Sequence, residues 1–186
     1  MSDVFEIEAS ALQTERLLLR KPKIDDAPQV FEYAADPEVA RYTLWPPHKN
    51  EAFTRGFLKF FTAPAVLSWA LLLKENQQLI GMAVFHSLDK HHAKAEISFN
   101  LARKVWGQGI AFEVGHLLLD FAFQSLKLNR IEATCMPENL GSKRVLQKLG
   151  LRYEGTMRKS HRRYDGFHDM ELHAVLASDW KTESNK

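Results

Sequence analysis

A strand pattern that gives way to a glycine-rich turn and then to a helical pattern constrains this chain more than any other feature. In residues 95–101, Ile97, Phe99 and Leu101 alternate with Glu96, Ser98 and Asn100, the period of two expected of a strand. After Arg103-Lys104-Val105 comes Trp106-Gly107-Gln108-Gly109-Ile110-Ala111. From there Ile110, Val114, Leu117, Leu118 and Phe121 form one apolar stripe, while Glu113, His116, Asp120 and Gln124 face elsewhere. A helix's first N–H groups have no partner inside the helix, and its dipole favours negative charge there. Gly107 and Gly109 remove side chains that would hold a pyrophosphate away from the backbone, and Ala111 keeps the first turn slim. The same glycine pair would also serve tight packing of strand against helix, and spacing alone leaves both readings open.

The remaining pattern predicts a mixed α/β sheet. Residues 14–20 read as a first strand, and Asp25-Asp26 offers an N-cap to a helix carrying Val30, Phe31 and Ala34. Asp36 caps a second short helix with Pro37 in its first position, and Trp45-Pro46-Pro47 is a loop. Residues 50–62 repeat as a helix. Residues 67–74 and 79–88 read as an antiparallel hairpin, and a polar connection at 89–92 leads into the strand 95–101. Residues 130–136 form a strand and 139–149 a helix stopped by Gly150. Residues 153–164 and 167–175 are strands joined at Asp165-Gly166, a favoured hairpin pair. Strands alternating with helices in this order give an α/β (α+β) layered fold.

Composition narrows the class. A chain of 186 residues fits one domain, 1–186 with a core at about 12–180, and 45% hydrophobic with 26% charged residues is ordinary for a globular protein. With 25 basic against 23 acidic residues, bulk charge gives no case for nucleic-acid binding. The densest basic run, Arg158, Lys159, His161, Arg162 and Arg163, reads as a solvated hairpin face or as a seat for an acidic partner or a coenzyme phosphate. One cysteine, Cys135, excludes an internal disulfide; inside a short apolar strand it reads as core, and no local feature supplies the base that a nucleophilic thiol needs. His91 and His92 are adjacent, so on a strand they point to opposite faces, and no metal is expected. There is no basic segment followed by an apolar run at the start, and no run of 18 apolar residues, so a cytoplasmic protein without membrane contact is expected.

The segment Trp106 to Ala111 resembles the coenzyme A pyrophosphate loop of the GNAT superfamily, Q/R-x-x-G-x-G/A, with Gly109 and Ala111 at its last two fixed positions. Trp106 stands where most members carry Gln or Arg, a departure that resembles the RimJ/RimL type of ribosomal-protein N-acetyltransferases. Leu17-Leu18-Leu19-Arg20, Asp36-Pro37-Glu38-Val39 and Trp45-Pro46-Pro47 are similar to that type's opening. Met136-Pro137-Glu138-Asn139, Lys148-Leu149-Gly150-Leu151 and Glu154-Gly155 are similar to its later half, so the likeness spans roughly residues 12–180.

The resemblance implies the GNAT acyl-CoA N-acyltransferase fold, a mostly antiparallel sheet splayed at the cofactor site with helices on both faces. It implies direct transfer of acetyl from acetyl-CoA, the cosubstrate, to a primary amine. The expected acceptor is the N-terminal α-amine of a ribosomal protein. The alternatives are a small-molecule amine (an antibiotic, polyamine or amino acid) or a non-catalytic CoA-binding module. The backbone of Phe99, Asn100 and Leu101 would hold the pantetheine arm, and Trp106, Gly107, Gln108, Gly109, Ile110 and Ala111 the diphosphate. Asn139 would also meet the coenzyme arm, while its type also suits a helix N-cap. Glu96 matches a general-base position, acting directly or through water, and Ser142 the position of an acid that protonates the thiolate. Leu146 occupies the position where other members use Tyr for that task. Trp45 and Tyr164 are candidates for the acceptor pocket. A monomer or a homodimer is expected.

Overall fold

The computed structural model describes residues 11–180. They form an eight-stranded, mostly antiparallel sheet in the order β1-β2-β3-β4-β5-β6-β8-β7, together with helices. The described residues divide into two compact units. One takes those up to Arg41 with Pro46–His86 and Phe99–Trp106; the other takes Tyr42–Trp45, Ser87–Ser98 and those from Gly107 on.

In the first unit, β1 (Leu12–Gln13), β2 (Leu17–Arg20), β3 (Leu67–Leu73) and most of β4 (Leu79–Asp89) are antiparallel neighbours, with Leu19 opposite Leu71 and Trp69 opposite Ala83. Every residue from Leu67 to Leu72 and from Leu79 to Phe85 is buried, so these strands read as continuous apolar runs and not as alternating ones. Trp69 is 0% exposed and packs edge-on against Phe85, centroids 5.7 Å apart. Gly81 has no room for a side chain, since a Cβ there would strike the backbone oxygen of Asn100. The helices are α1 (Ala27–Ala34), α2 (Pro37–Ala40) and α3 (Glu51–Phe61).

The capping expectations met different fates. Asp36 caps α2, accepting from the Glu38 amide at 2.9 Å, with Pro37 in the first position. Asp26 precedes α1 but makes no cap bond with its side chain. It is buried instead and accepts from both Arg20 guanidinium nitrogens, at 2.9 and 2.6 Å, and from the Lys23 amide at 2.8 Å. Asp26 thus closes the short turn Ile24–Asp26 in front of α1 through the Lys23 amide, and its pair with Arg20 fixes it there.

α3 encloses a titratable group. His48 is 4% exposed, sits edge-on to Phe53 and Phe57, and its Nδ1 lies 2.9 Å from the Thr54 hydroxyl. Burial lowers its pKa from 6.5 to about 4. The unfolded chain therefore binds a proton that the folded chain refuses, and stability rises with pH across that window. This contribution is complete above about pH 6.5 and is lost as pH drops towards about 4, up to roughly 3 kcal/mol in all. Urea unfolding of the chain and of His48→Leu at several pH values checks this: the variant is expected to lose less stability on acidification. Equal slopes would remove His48 as the cause.

In the second unit, residues Lys94 to Glu96 of β5 (Lys94–Leu101) pair parallel with the start of β6 (Arg130–Cys135). β6 pairs antiparallel with β8 (Gly166–Leu176), which pairs with β7 (Arg152–Arg163). α4 (Ile110–Asp120) passes into a wider π turn at Phe121–Ser125, and α5 (Leu140–Lys148) follows β6. Gly115 lets α4 approach α5, because a Cβ there would overlap the Leu149 side chain. The β7–β8 hairpin turns one residue earlier than its Asp-Gly pair predicts. Arg163 pairs with Gly166, so Tyr164 and Asp165 make the turn and Gly166, φ +134°, opens β8. Asp165 braces it, accepting from Arg163 Nε at 2.7 Å and lying 2.8 Å from His168 Nε2. Among the described residues, no helix is long and apolar enough to cross a membrane.

Candidate active site

The glycine turn shows a reason for its glycines that the sequence reading did not give. Gly107 and Gly109 hold φ of +75° and +79°, the left-handed region that side chains disfavour. A Cβ at Gly107 would meet nothing within 4 Å, so it is backbone conformation, not crowding, that calls for glycine. Gly109 is the N-cap of α4 and supplies no capping side chain. The first bond of this helix runs from the Glu113 amide to the Gly109 carbonyl, 3.1 Å, so the amides of Ile110, Ala111 and Phe112 have no acceptor within it. Ile110 is buried and anchors the turn, while Gly107, Gln108 and Gly109 are exposed and Ala111 half-buried. An exposed helix N-terminus of this kind receives anions.

Part of the predicted site lies in the first unit. Trp106 is half-exposed, and its indole N–H donates to the Leu101 carbonyl at 2.9 Å, pinning the end of β5. That carbonyl was expected to serve a bound coenzyme, and one of its lone pairs is already engaged. The Asn100 side-chain oxygen is buried without a hydrogen bond, an acceptor still to be satisfied. Phe99 is half-buried beside it in sequence.

In the second unit, the parallel register runs Lys94 with Arg130, Ala95 with Ile131 and Glu96 with Glu132, and ends there. Glu96 accepts from the Thr134 hydroxyl at 2.6 Å. Two residues beyond Glu132 on β6, Thr134 lies on the same face, since side chains alternate along a strand. Sequence reasoning passed over Thr134; its period-two spacing from Glu132 was the available signal.

At the other end of β6 the chain turns into α5. Asn139 caps this helix by accepting from the Ser142 amide at 3.0 Å, leaving its NH₂ group outside the cap. The Ser142 side chain lies near the Cys135 sulfur and partly offsets the rise that burial imposes on its thiol pKa. Glu96 and Ser142 are thus engaged by different neighbours, the threonine hydroxyl and the cysteine. Leu146 is buried, and no phenol stands at that position.

Cys135 is core, as expected, but its surroundings are not purely apolar. Cross-strand pairing sets Glu171 opposite Cys135 and His173 opposite Ala133. Lys143, on α5, donates to Glu171 Oε1 at 2.9 Å, which raises the lysine pKa. Burial pushes the Cys135 thiol up to about 11, with the Glu171 charge adding to the rise. The thiol is therefore protonated near neutral pH and a poor nucleophile. His91 and His92, the adjacent pair, lie exposed beyond β4, where His92 Nδ1 contacts Asp89 at 2.8 Å.

Trp45 and Tyr164 both belong to the second unit. Arg163 links their surroundings: its guanidinium donates to the Thr43 carbonyl at 3.5 Å and lies 4.6 Å from the centre of the Tyr164 ring. Thr43 in turn donates to the Trp45 carbonyl at 2.8 Å. Tyr164 is 55% exposed, and the basic run around it is partly paired, with Lys159 taking Asp169 and Arg163 taking Asp165.

Comparison with known proteins agrees with this geometry. Residues 16–152 match the model of an acetyltransferase (GNAT) domain. Over 173 residues the chain is 33% identical to the uncharacterized N-acetyltransferase p20 of Bacillus licheniformis, covering 91% of this chain and 97% of that one. It is 26% identical over 182 residues to the [ribosomal protein uS5]-alanine N-acetyltransferase of Escherichia coli, covering 91% and 92%. The crystal structure of a GNAT-family acetyltransferase from Bacillus anthracis superposes with a TM-score of 0.81 at 32% identity, covering 90% of this chain and 99% of that one. On a domain match spanning most of its length, the left-handed glycine turn at α4 and the mixed sheet around it, this chain belongs to the GNAT family of N-acetyltransferases.

Proposed function

We propose that the chain transfers acetyl from acetyl-CoA to the N-terminal α-amine of a ribosomal protein. The observation that carries the donor half is the turn from Gly107 to Gly109, whose left-handed glycines leave the amides opening α4 turned outward for a diphosphate. The acceptor half draws support from the relative in Escherichia coli named for uS5 alanine acetylation.

Glu96 takes a proton from the ammonium of the acceptor, directly or through a water, freeing the nitrogen lone pair. An α-amine titrates near pH 8, roughly two pH units below lysine, so a carboxylate held by Thr134 suffices as base. The amine nitrogen attacks the thioester carbonyl, the C–N bond forms, the nitrogen releases its surplus proton to solvent, and the C–S bond breaks. The departing sulfur receives the Ser142 hydroxyl proton, which solvent then replaces. Trp45 and Tyr164 flank the acceptor. Most of the acceleration comes from holding the amine and the thioester together.

Incubating the chain with acetyl-CoA and a panel of ribosomal proteins, polyamines and aminoglycosides, followed by mass spectrometry, tests both halves. The expected product is a ribosomal protein acetylated at its N-terminus. Turnover confined to small amines would overturn the acceptor. Calorimetry showing no affinity for acetyl-CoA would overturn the whole assignment, and affinity without turnover on any amine would leave a binding module.

A further inference from the structure

We propose that Cys135, Glu171 and His173 form a binding site for a divalent cation of the zinc class, a further site next to the candidate acid Ser142. One ligand atom from each, a sulfur, a carboxylate oxygen and an imidazole nitrogen, lies within 4.8 Å of the other two. In a tetrahedral zinc site, bond lengths of about 2.0–2.3 Å put neighbouring ligand atoms about 3.5 Å apart, so the set needs to close by little more than an ångström.

The second observation is the state of His173. It is 1% exposed, and among the described residues neither ring nitrogen has a hydrogen-bond partner. Its Nε2 approaches Glu171 Oε2 at 3.4 Å, but not in hydrogen-bonding alignment. Buried imidazoles normally have partners, and this one faces a thiol and a carboxylate. The Tyr153 ring covers it edge-on, centroids 5.6 Å apart.

The donor set and its surroundings suit such an ion. Sulfur and imidazole ligands favour zinc over magnesium or calcium, which prefer all-oxygen shells. Glu171 has divided duties: Oε1 accepts from Lys143 at 2.9 Å, and Oε2 is the oxygen nearest His173. A carboxylate steadied through one oxygen and coordinating through the other is a usual outer-shell arrangement. Three protein ligands leave one coordination position, which water would fill. Binding breaks the S–H bond, the thiolate pair goes to the cation, and the proton leaves to solvent.

Cobalt(II) added to the reduced full-length chain is the probe, because thiolate coordination gives a near-ultraviolet charge-transfer band and four-coordination gives intense visible bands. One equivalent is expected to develop both. Cys135→Ser is expected to abolish the near-ultraviolet band, and His173→Gln to weaken binding by at least about tenfold. A double His91→Ala, His92→Ala variant is expected to titrate like the parent. Circular dichroism of each variant separates lost ligands from lost folding, and zinc displacing cobalt at one equivalent supports the site even where a variant is unstable. No saturable band in the parent, or a band that survives Cys135→Ser, overturns the proposal.

Discussion

Replacing Ser142 with Ala is expected to lower kcat for acetyl transfer by about 100- to 10,000-fold, the usual worth of a positioned proton donor. The Michaelis constant for acetyl-CoA is expected to change little. The substitution removes one hydroxyl and leaves intact the backbone bond by which Asn139 caps α5, since that bond uses the Ser142 amide. Leu146 offers no phenol to take over, and the Cys135 thiol, with its pKa pushed up to about 11, is a much weaker acid than its ordinary value implies. Steady-state kinetics over a range of pH check this. A variant retaining kcat within about threefold would show that the thiolate collects its proton elsewhere, leaving Ser142 its backbone part in the α5 cap.

Trp69→Ala is expected to cost about 3–5 kcal/mol of stability, a large share of the 5–15 kcal/mol by which a domain is normally stable. Trp69 is wholly buried in β3, faces Ala83 across the strand pair and meets Phe85 edge-on. No neighbour in a close-packed strand layer can move in to fill the space, so a cavity is added to the lost burial. Urea unfolding monitored by far-ultraviolet circular dichroism measures it, with Leu140→Ala as the comparison. Leu140 is 59% exposed, and its truncation is expected to shift stability by no more than about 0.5 kcal/mol. Similar losses from both variants would mean that Trp69 is not the packing centre its burial implies.

What could be read without coordinates was whatever depends on residues close together along the chain. The alternation at Ile97 and Leu101, the stripe from Ile110 through Leu118, the glycine turn into α4, the Asp36 cap and the Asn139 cap all follow from a few consecutive residues. Helix and strand periods and the φ freedom of glycine act at that range. Some local expectations shifted by a few residues. Asp26 caps the short turn before α1 and not α1 itself, paired there with Arg20, and the hairpin turns at Tyr164-Asp165 with Arg163 opposite Gly166.

The surroundings of the candidate catalytic groups were decided only by tertiary structure. Thr134 reaches Glu96 because β5 and β6 run parallel in one particular register. Glu171 and His173 reach Cys135 because β8 lies antiparallel to β6 with Cys135 opposite Glu171. Sliding that pairing by one residue would turn both side chains to the opposite face, and nothing in the local sequence near Cys135 states which register holds.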